Sequence, residues 1–391
     1  MTTKQHWILP EGIDEILPVQ AARFESMRRL LLDMYATWGY ELVIPPTIDF
    51  IESLLTGTGH DLDLQTFKLV DQMSGRTLGL RADMTPQVAR IDAHQLQREV
   101  PTRLCYIGTV LRTRPESIGD SRSPLQVGAE LYGHAGVESE VEIIGLMLQT
   151  FSVLDVNDIY LDIGNVDIYR GLAKQAGLSE EVEGQLFDML QRKAITEINE
   201  LLDSLDLDDG MKTMLSGLSS LNGGKEVFIK AKILLADADA AVIDAIDYLE
   251  QTAELMWQRF GDIKVHFDLS ELQGYHYKTG VVFAAFVPQL GQAIARGGRY
   301  DDIGKVFGRA RAATGFSTDL KVLNQLSKKQ FAAAEKIFAP SVDDQHLKEK
   351  IAGLRAEGRV VIEQLPGQDT DADAMGCDKN LRLVDGQWTA E

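Results

Sequence analysis

The chain has 391 residues, with 39 Lys+Arg against 59 Asp+Glu, a formal charge of −20. At about 150 residues per domain this length implies two to three domains, and a hydrophobic fraction of 45% is that of a soluble globular chain with a large core. The carboxylate surplus argues against a large nucleic acid, whose binding draws on Lys and Arg at the phosphates.

Leu9-Pro-Glu-Gly-Ile13 reads as a loop. From Val19 to Trp38 the residues Phe24, Met27, Leu30, Leu31, Met34, Tyr35 and Trp38 keep helical spacing, between Pro18 as start and Gly39 as stop. Tyr40–Ile44 predicts a strand closed by Pro45-Pro46. Thr66–Val70 and Arg76–Leu80 predict a hairpin around Ser74-Gly75. Thr85-Pro86 predicts a helix start, with threonine as side-chain cap and proline at the first helical position, and the helix runs to Leu96. Arg103–Leu111 and Leu125–Gly133 read as strands joined by an arginine-bearing loop. Ser139-Glu-Val-Glu142 reads as a capping box before the apolar run Ile143–Leu154, and Asp158–Ile163 as a strand.

Residues from about 166 to 261 are leucine-rich with few strand signals, an α-helical insertion. Strands follow at Ile263–Phe267, Val281–Val287 and Gln292–Ala295. Gly297-Gly298 comes next, then a strand near Ala313–Phe316 and a closing helix over Asp319–Leu326. Past Ser327 come a helix over Asp344–Ala356, a strand at Arg359–Glu363 and a polar Asp- and Gly-rich stretch. The expected fold is α+β: an antiparallel sheet flanked by helices. Residues 1–327 form its core, with the helical insertion at about 166–261, and residues 328–391 form a reduced C-terminal domain. The strands come as hairpins, which argues against a doubly wound sheet.

Several chemistries find no footing. There is no GxxxxGK[ST], no GxSxG and no HExxH, and Thr56-Gly-Thr-Gly59 is followed by His60 rather than by a dinucleotide fingerprint. The seven histidines lack metal-ligand spacing. No metal, no cofactor and no catalytic residue is therefore expected. Cys105 and Cys377 are too few for a zinc site or a disulfide framework. No apolar run reaches the ~18 residues of a membrane span, and Met1–His6 does not begin a secretory signal. A cytoplasmic location is expected.

Four segments form a set: Gly39-Tyr-Glu-Leu-Val-Ile-Pro-Pro46; Gly79-Leu-Arg-Ala-Asp-Met-Thr85; Tyr106-Ile-Gly-Thr-Val-Leu-Arg-Thr-Arg114 with Gln126-Val-Gly-Ala-Glu130; and Gln273-Gly-Tyr-His-Tyr-Lys-Thr-Gly280 with Ala295-Arg-Gly-Gly-Arg-Tyr-Asp301 and Gly315-Phe316. In order and spacing they resemble the histidyl-tRNA synthetase family, of the class II aminoacyl-tRNA synthetase kind, across residues 7–325. They resemble most closely its non-synthetase branch, the regulatory subunits of ATP phosphoribosyltransferase.

Departures from the synthetase pattern carry the functional expectation. Forming an aminoacyl-adenylate needs fixed cations around the α-phosphate, a large electrostatic contribution. Arg112 is kept, but Arg114 stands where the resemblance implies Glu, Gln273 where it implies an arginine, and Val322 where it implies another. Losing one such group typically costs ~10²–10³ in rate, so adenylate synthesis is not expected. The amino-acid site is better kept. The resemblance implies a histidine pocket from Asp83 (one methylene shorter than the synthetase Glu), Thr85, Arg112, Gln126 and Glu130, with Tyr275 and Tyr277 lining it or packing in the core.

Blander readings stand beside these. Asp83 and Glu130 also fit buried structural carboxylates. Arg296-Gly-Gly-Arg299 reads more readily as a strand-end turn paired to Asp301-Asp302 than as a phosphate site, and His276 as a structural histidine pointing away from its tyrosines. Arg112, Arg114 and Arg122 form either a solvated loop or a cationic rim.

The resemblance implies a homodimer built by the helix and strand near Tyr35–Pro46. It also implies a hetero-octamer with a separate short catalytic subunit, which condenses ATP with phosphoribosyl pyrophosphate in the first step of histidine biosynthesis. This chain would then be no enzyme. It would bias the partner's conformational equilibrium and pass on histidine feedback, a coupling typically of ~1–3 kcal/mol. Free L-histidine is the expected ligand, with no nucleic acid and no membrane as partner. The alternatives are a divergent histidine-activating enzyme and a ligand-free scaffold.

Overall fold

The computed structural model describes residues 8–56, 60–115, 121–271, 274–275 and 277–391; Gln273, His276 and most of Thr56-Gly-Thr-Gly59 lie outside them. The helical spacing after Pro18 becomes α1 (Pro18–Thr37), which buries Met27, Leu31 and Tyr35. Gly39, at φ +80°, turns the chain out of it. The strand that follows is shorter than its sequence suggests. β1 is only Glu41–Leu42, because Pro45 and Pro46 lack the N–H groups that would extend a ladder.

A small antiparallel sheet comes next: β2 (Ile48–Phe50), β3 (Lys68–Val70) and β4 (Thr77–Leu80), in the order β2-β4-β3. The short helices α2 (Ile51–Leu54) and α3 (His60–Gln65) precede β3. α4 (Thr85–Arg90) continues into a π-helical turn, Ile91–Leu96. Thr85 does not cap it. Met84 is the N-cap, the Asp83 carboxylate accepts the Thr85 N–H at 3.0 Å, and the threonine hydroxyl instead donates to the Glu130 carboxyl group at 3.2 Å.

β5 (Thr102–Thr109) and β6 (Leu125–Tyr132) pair as expected, and α5 (Val137–Val153) follows. The capping box does not form. α5 starts at Val137 after Gly136, and Ser139, already inside the first turn, donates to the Gly136 carbonyl at 2.6 Å. After β7 (Tyr160–Asn165) the insertion supplies α6 (Val166–Gln175), α7 (Glu180–Gln191), α8 (Ile195–Ser204), α9 (Asp209–Gly217), the two-residue β8 (Asn222–Gly223), α10 (Glu226–Leu234) and α11 (Ala240–Phe260). β9 (Lys264–Asp268), β10 (Val281–Phe286), β11 (Ala295–Arg299), β12 (Ala313–Asp319) and α12 (Leu320–Leu326) complete this unit.

These strands form one sheet in the order β1-β5-β6-β12-β11-β10-β7-β9-β8. From β5 to β7 every neighbour is antiparallel, six strands in all, while β1 and β9 join at either side in parallel. Gly297-Gly298 corrects the sequence reading: the pair lies inside β11, not after a strand over Gln292–Ala295. Two glycines erase the alternation by which a strand is recognised.

The chain divides into two compact units, up to Lys329 and Gln330–Glu391. The second contains β13 (Lys336–Ala339), α13 (Gln345–Ala356), β14 (Val360–Glu363), β15 (Lys379–Val384) and β16 (Gln387–Ala390), with sheet order β14-β13-β15-β16. Ile337, Leu347, Ile351, Val361 and Leu381 form its core. Its last residues are a hairpin rather than a polar tail. Asp385-Gly386, at φ +48° and +79°, makes the two-residue turn between β15 and β16.

Arg299, at the end of β11, is buried against Glu140 of α5 and also bonds Ser139 at 2.9 Å and Asp301 at 3.1 Å. The pairing of Arg299 with Asp301 agrees with the structural reading, but Arg296-Gly-Gly-Arg299 is strand rather than a strand-end turn; the buried partner Glu140 was not legible in the sequence. Tyr248 of α11 donates to the same Glu140 at 2.7 Å, so one carboxylate joins sheet, core helix and insertion. Removing one member of a buried ion pair strands the other. Glu140→Gln is expected to destabilise the first unit by about 3 kcal/mol, read by denaturant unfolding of the full chain; unchanged unfolding would contradict this.

Candidate functional site

The site follows from register on three adjacent strands. Glu130 of β6 lies opposite Gly315 of β12, which lies opposite Gly298 of β11. Two residues along, Gly128, Ser317 and Arg296 form the next row, and Gln126 and Asp319 the third. A period of two puts all of these on one face of the sheet. The glycines leave that face hollow, and above it lies a cavity of about 790 Å³.

Glu130 is the centre of its polar end. The residue is 1% exposed. It accepts from Tyr106 at 2.8 Å and Thr85 at 3.2 Å, and from Tyr300 on its other oxygen. The glycines are required by this arrangement. A Cβ at Gly128 would fall 2.3 Å from the Tyr106 hydroxyl, and one at Gly315 would strike the Glu130 carboxyl itself. Burial pushes the Glu130 pKa well above the ordinary range. Hydrogen bonds from Tyr106 and Thr85 oppose the shift, and the charge of Asp83 reinforces it. Gln126 donates to Asp83 at 2.7 Å and accepts the Met84 N–H at 3.0 Å, which holds the start of α4 against β6.

Asp83, Thr85, Arg112, Gln126, Glu130, Tyr275 and Tyr277 all line this one cavity. Arg112 reaches the Ala82 carbonyl at 3.4 Å. Tyr275 and Tyr277 have the spacing of two residues on one strand face, but they are not in a strand. They sit in a turn closed by Gly274, whose carbonyl accepts from the Tyr277 and Lys278 N–H groups at 3.0 and 2.8 Å. Tyr275 is buried against Tyr169 and Phe187 and bonds Glu183, while Tyr277 is half exposed. Arg114 is exposed and does not line the cavity. Arg122 donates to the carbonyls of Arg112 at 3.1 Å and Glu11 at 3.0 Å, a structural clamp rather than a rim cation. Val322 forms part of the wall.

Sequence reasoning missed three lining or supporting residues, Tyr106, Lys278 and Tyr300, and read Arg296, which also lines the cavity, as part of a turn. All lie inside the four quoted segments, and only the strand register shows that they converge. Lys278 is 5% exposed and donates to the Gly297 carbonyl at 2.7 Å. Burial lowers its ammonium pKa to about 8; Arg296 adds to the shift and Glu271 opposes it. Among the described residues no cluster of three His, Cys, Asp or Glu side chains is placed to hold a metal ion, and no helix is long and apolar enough to cross a membrane.

The Glu130 shift has a sign that can be tested. Its folded pKa lies above its unfolded one, so the unfolded chain loses the proton first. The stability that the neutral acid contributes is full below the ordinary glutamate value of about 4.3 and is lost as pH rises toward the folded pKa. Glu130→Gln, a neutral isostere, is expected to flatten the fall in melting temperature between pH 5 and 8. A variant whose melting temperature falls with pH as steeply as the parent's would show that Glu130 is already ionised.

The histidyl-tRNA synthetase family model matches residues 12–323, and the ATP phosphoribosyltransferase subunit HisZ C-terminal domain matches residues 334–391. The ATP phosphoribosyltransferase regulatory subunit of Thioalkalivibrio sulfidiphilus is 59% identical over 391 residues, covering 100% of this chain and 99% of that one. That of Alkalilimnicola ehrlichii is 54% identical over 97% of this chain and 95% of its own. A Bacillus halodurans structure described as an ATP phosphoribosyltransferase regulatory subunit/histidyl-tRNA synthetase superposes with a TM-score of 0.83 at 29% identity, covering 95% of this chain and 96% of that one. Histidyl-tRNA synthetase from Nostoc shares the fold, with a TM-score of 0.76 at 16% identity over 97% of this chain and 91% of its own. With a synthetase-like core, a matching C-terminal domain and full-length relatives of this kind, the chain belongs to the family of ATP phosphoribosyltransferase regulatory subunits.

Proposed function

We propose that this chain is the non-catalytic regulatory subunit of an ATP phosphoribosyltransferase and that it binds free L-histidine in the cavity over β6, β12 and β11. The observation that carries the reading is the asymmetry of that cavity. Its acidic end is complete: Asp83, Glu130, Gln126 and Thr85 are tied into one hydrogen-bonded set. That set suits an ammonium and an imidazole. Of the positions that depart from the adenylate-forming pattern, Val322 is apolar wall where an arginine is implied, and Arg114 faces solvent where a glutamate is implied. A phosphate charge developing here would lack the arginine implied at the Val322 position, although Arg112, Lys278 and Arg296 line the cavity.

The partner is a separate short catalytic subunit, assembled with dimers of this chain into a hetero-octamer. Support for the homodimer comes from the apolar surface around β1. Leu42 is 46%, Ile44 82% and Ile48 48% exposed, and clustered exposed aliphatic side chains of this kind are usually covered in a working assembly. Histidine feedback then follows if the ligand favours one of two states of the partner. Coupling of this kind is reciprocal: the catalytic subunit must in turn alter the affinity for histidine.

Mixing the chain with the short catalytic subunit is expected to raise phosphoribosyl-ATP formation, and histidine is expected to suppress the rise. The chain alone is expected to show no histidine-dependent ATP–pyrophosphate exchange. No co-elution and no change in rate would sink the regulatory reading. Ile44→Asp is expected to shift the dimer toward monomer at micromolar concentration in sedimentation velocity; an unchanged dimer would place its interface elsewhere.

A further inference from the structure

The cavity holds a side chain that the reading above leaves without a task. Lys278 enters from the turn after Gly274 and is buried, with its ammonium donating to the Gly297 carbonyl at 2.7 Å. Its stem runs along the glycine floor: a Cβ at Gly298 would lie 3.2 Å from its Cδ, and one at Gly274 would lie 3.0 Å away. Gly298 is the register partner of Gly315, the residue beneath the Glu130 carboxyl. One row of the sheet therefore carries Glu130 over one glycine and the lysine stem over the next, and adjacent strands are ~4.8 Å apart.

An ammonium group has three N–H donors. Here the acceptor found among the described residues is the Gly297 carbonyl, and no carboxylate there lies within hydrogen-bonding distance of the amine. Arg296, which also lines the cavity, adds positive potential rather than relieving it. Glu271 acts on it electrostatically without a hydrogen bond between them, and a buried cation with no carboxylate in direct contact is costly unless something in the working protein meets it. The open side of Lys278 is the cavity itself.

We infer that Lys278 receives the carboxylate of the cavity's ligand and is the residue that makes the site prefer ligands that carry an α-carboxylate. The ammonium and side-chain donors of the ligand face Glu130 and Asp83, and its carboxylate faces Lys278 and Arg296. This rests on the amino-acid reading of the cavity. It adds that the site discriminates by the ligand's negative charge as well as by its donors. The competing role for Lys278 is structural, with its stem simply filling the groove over Gly298.

The two roles separate in a thermodynamic cycle. The full chain and Lys278→Gln, which keeps a donor for the Gly297 carbonyl but no charge, are titrated calorimetrically with L-histidine and with L-histidinol, which has the same ammonium and imidazole but no carboxylate. The parent is expected to prefer histidine by about tenfold or more. K278Q is expected to bring the two ligands within about threefold of one another by weakening histidine alone. Lys278→Met provides the same comparison should the glutamine variant fold poorly. Equal weakening of both ligands, or an unchanged preference for histidine, overturns the inference while leaving the amino-acid site standing. Heat from neither ligand in the parent chain removes the amino-acid reading itself, and this inference with it.

Discussion

Glu130 is buried, with three hydroxyl groups donating to its carboxyl group. Much of the central sheet can be read as what that burial requires. Tyr106 reaches it by crossing Gly128, and a Glu130 oxygen and the Tyr300 hydroxyl occupy the space over Gly315. Tyr300 approaches from the end of β11, and Thr85 turns its hydroxyl inward instead of capping α4. A fully buried carboxyl group is tolerable when it is neutral or hydrogen-bonded on both oxygens; here it is bonded on both and pushed toward the neutral form. The antiparallel order β6-β12-β11 supplies the register that brings these groups together. The hollow that results is the cavity.

The geometry also links that cavity to the helical insertion. Arg170 of α6 donates to the carbonyls of Tyr275 and Lys278, both at 2.9 Å, and its guanidinium lies 4.8 Å from the Tyr275 ring centre. The Tyr275 hydroxyl bonds Glu183 of α7. The turn that closes the cavity is thus held by two helices outside the sheet. A ligand that moves the turn must move or strain those contacts. A regulatory subunit has to transmit occupancy in this physical sense, through packed elements and with no chemistry of its own.

Much of this was legible in the sequence where periodicity was strong. α1, the β5–β6 pair and α13 follow their apolar spacing closely. Elsewhere local rules gave way to tertiary demands. Thr85-Pro86 and Ser139-Glu-Val-Glu142 have the wording of caps, yet Thr85 faces a buried carboxyl group and Ser139 bonds Arg299. The Asp385-Gly386 hairpin is a strong local signal that an acidic composition obscured. The seven residues singled out for a histidine pocket line one cavity. What could not be read was the convergence of Tyr106, Lys278 and Tyr300, because cross-strand register is a long-range property that a single sequence does not display. Gln273 and His276 fall outside the described residues.

The central claim is that a synthetase-like core has kept an amino-acid pocket while losing the means to activate its occupant. Calorimetric titration of the full chain with L-histidine and, separately, with ATP tests it most directly. The account predicts saturable heat with histidine, abolished in a variant carrying Asp at Gly315, where a side chain must collide with Glu130, and no saturable heat with ATP, whether or not histidine is bound. Tight ATP binding that strengthens when histidine is present would contradict it, for that is how a working activating site behaves.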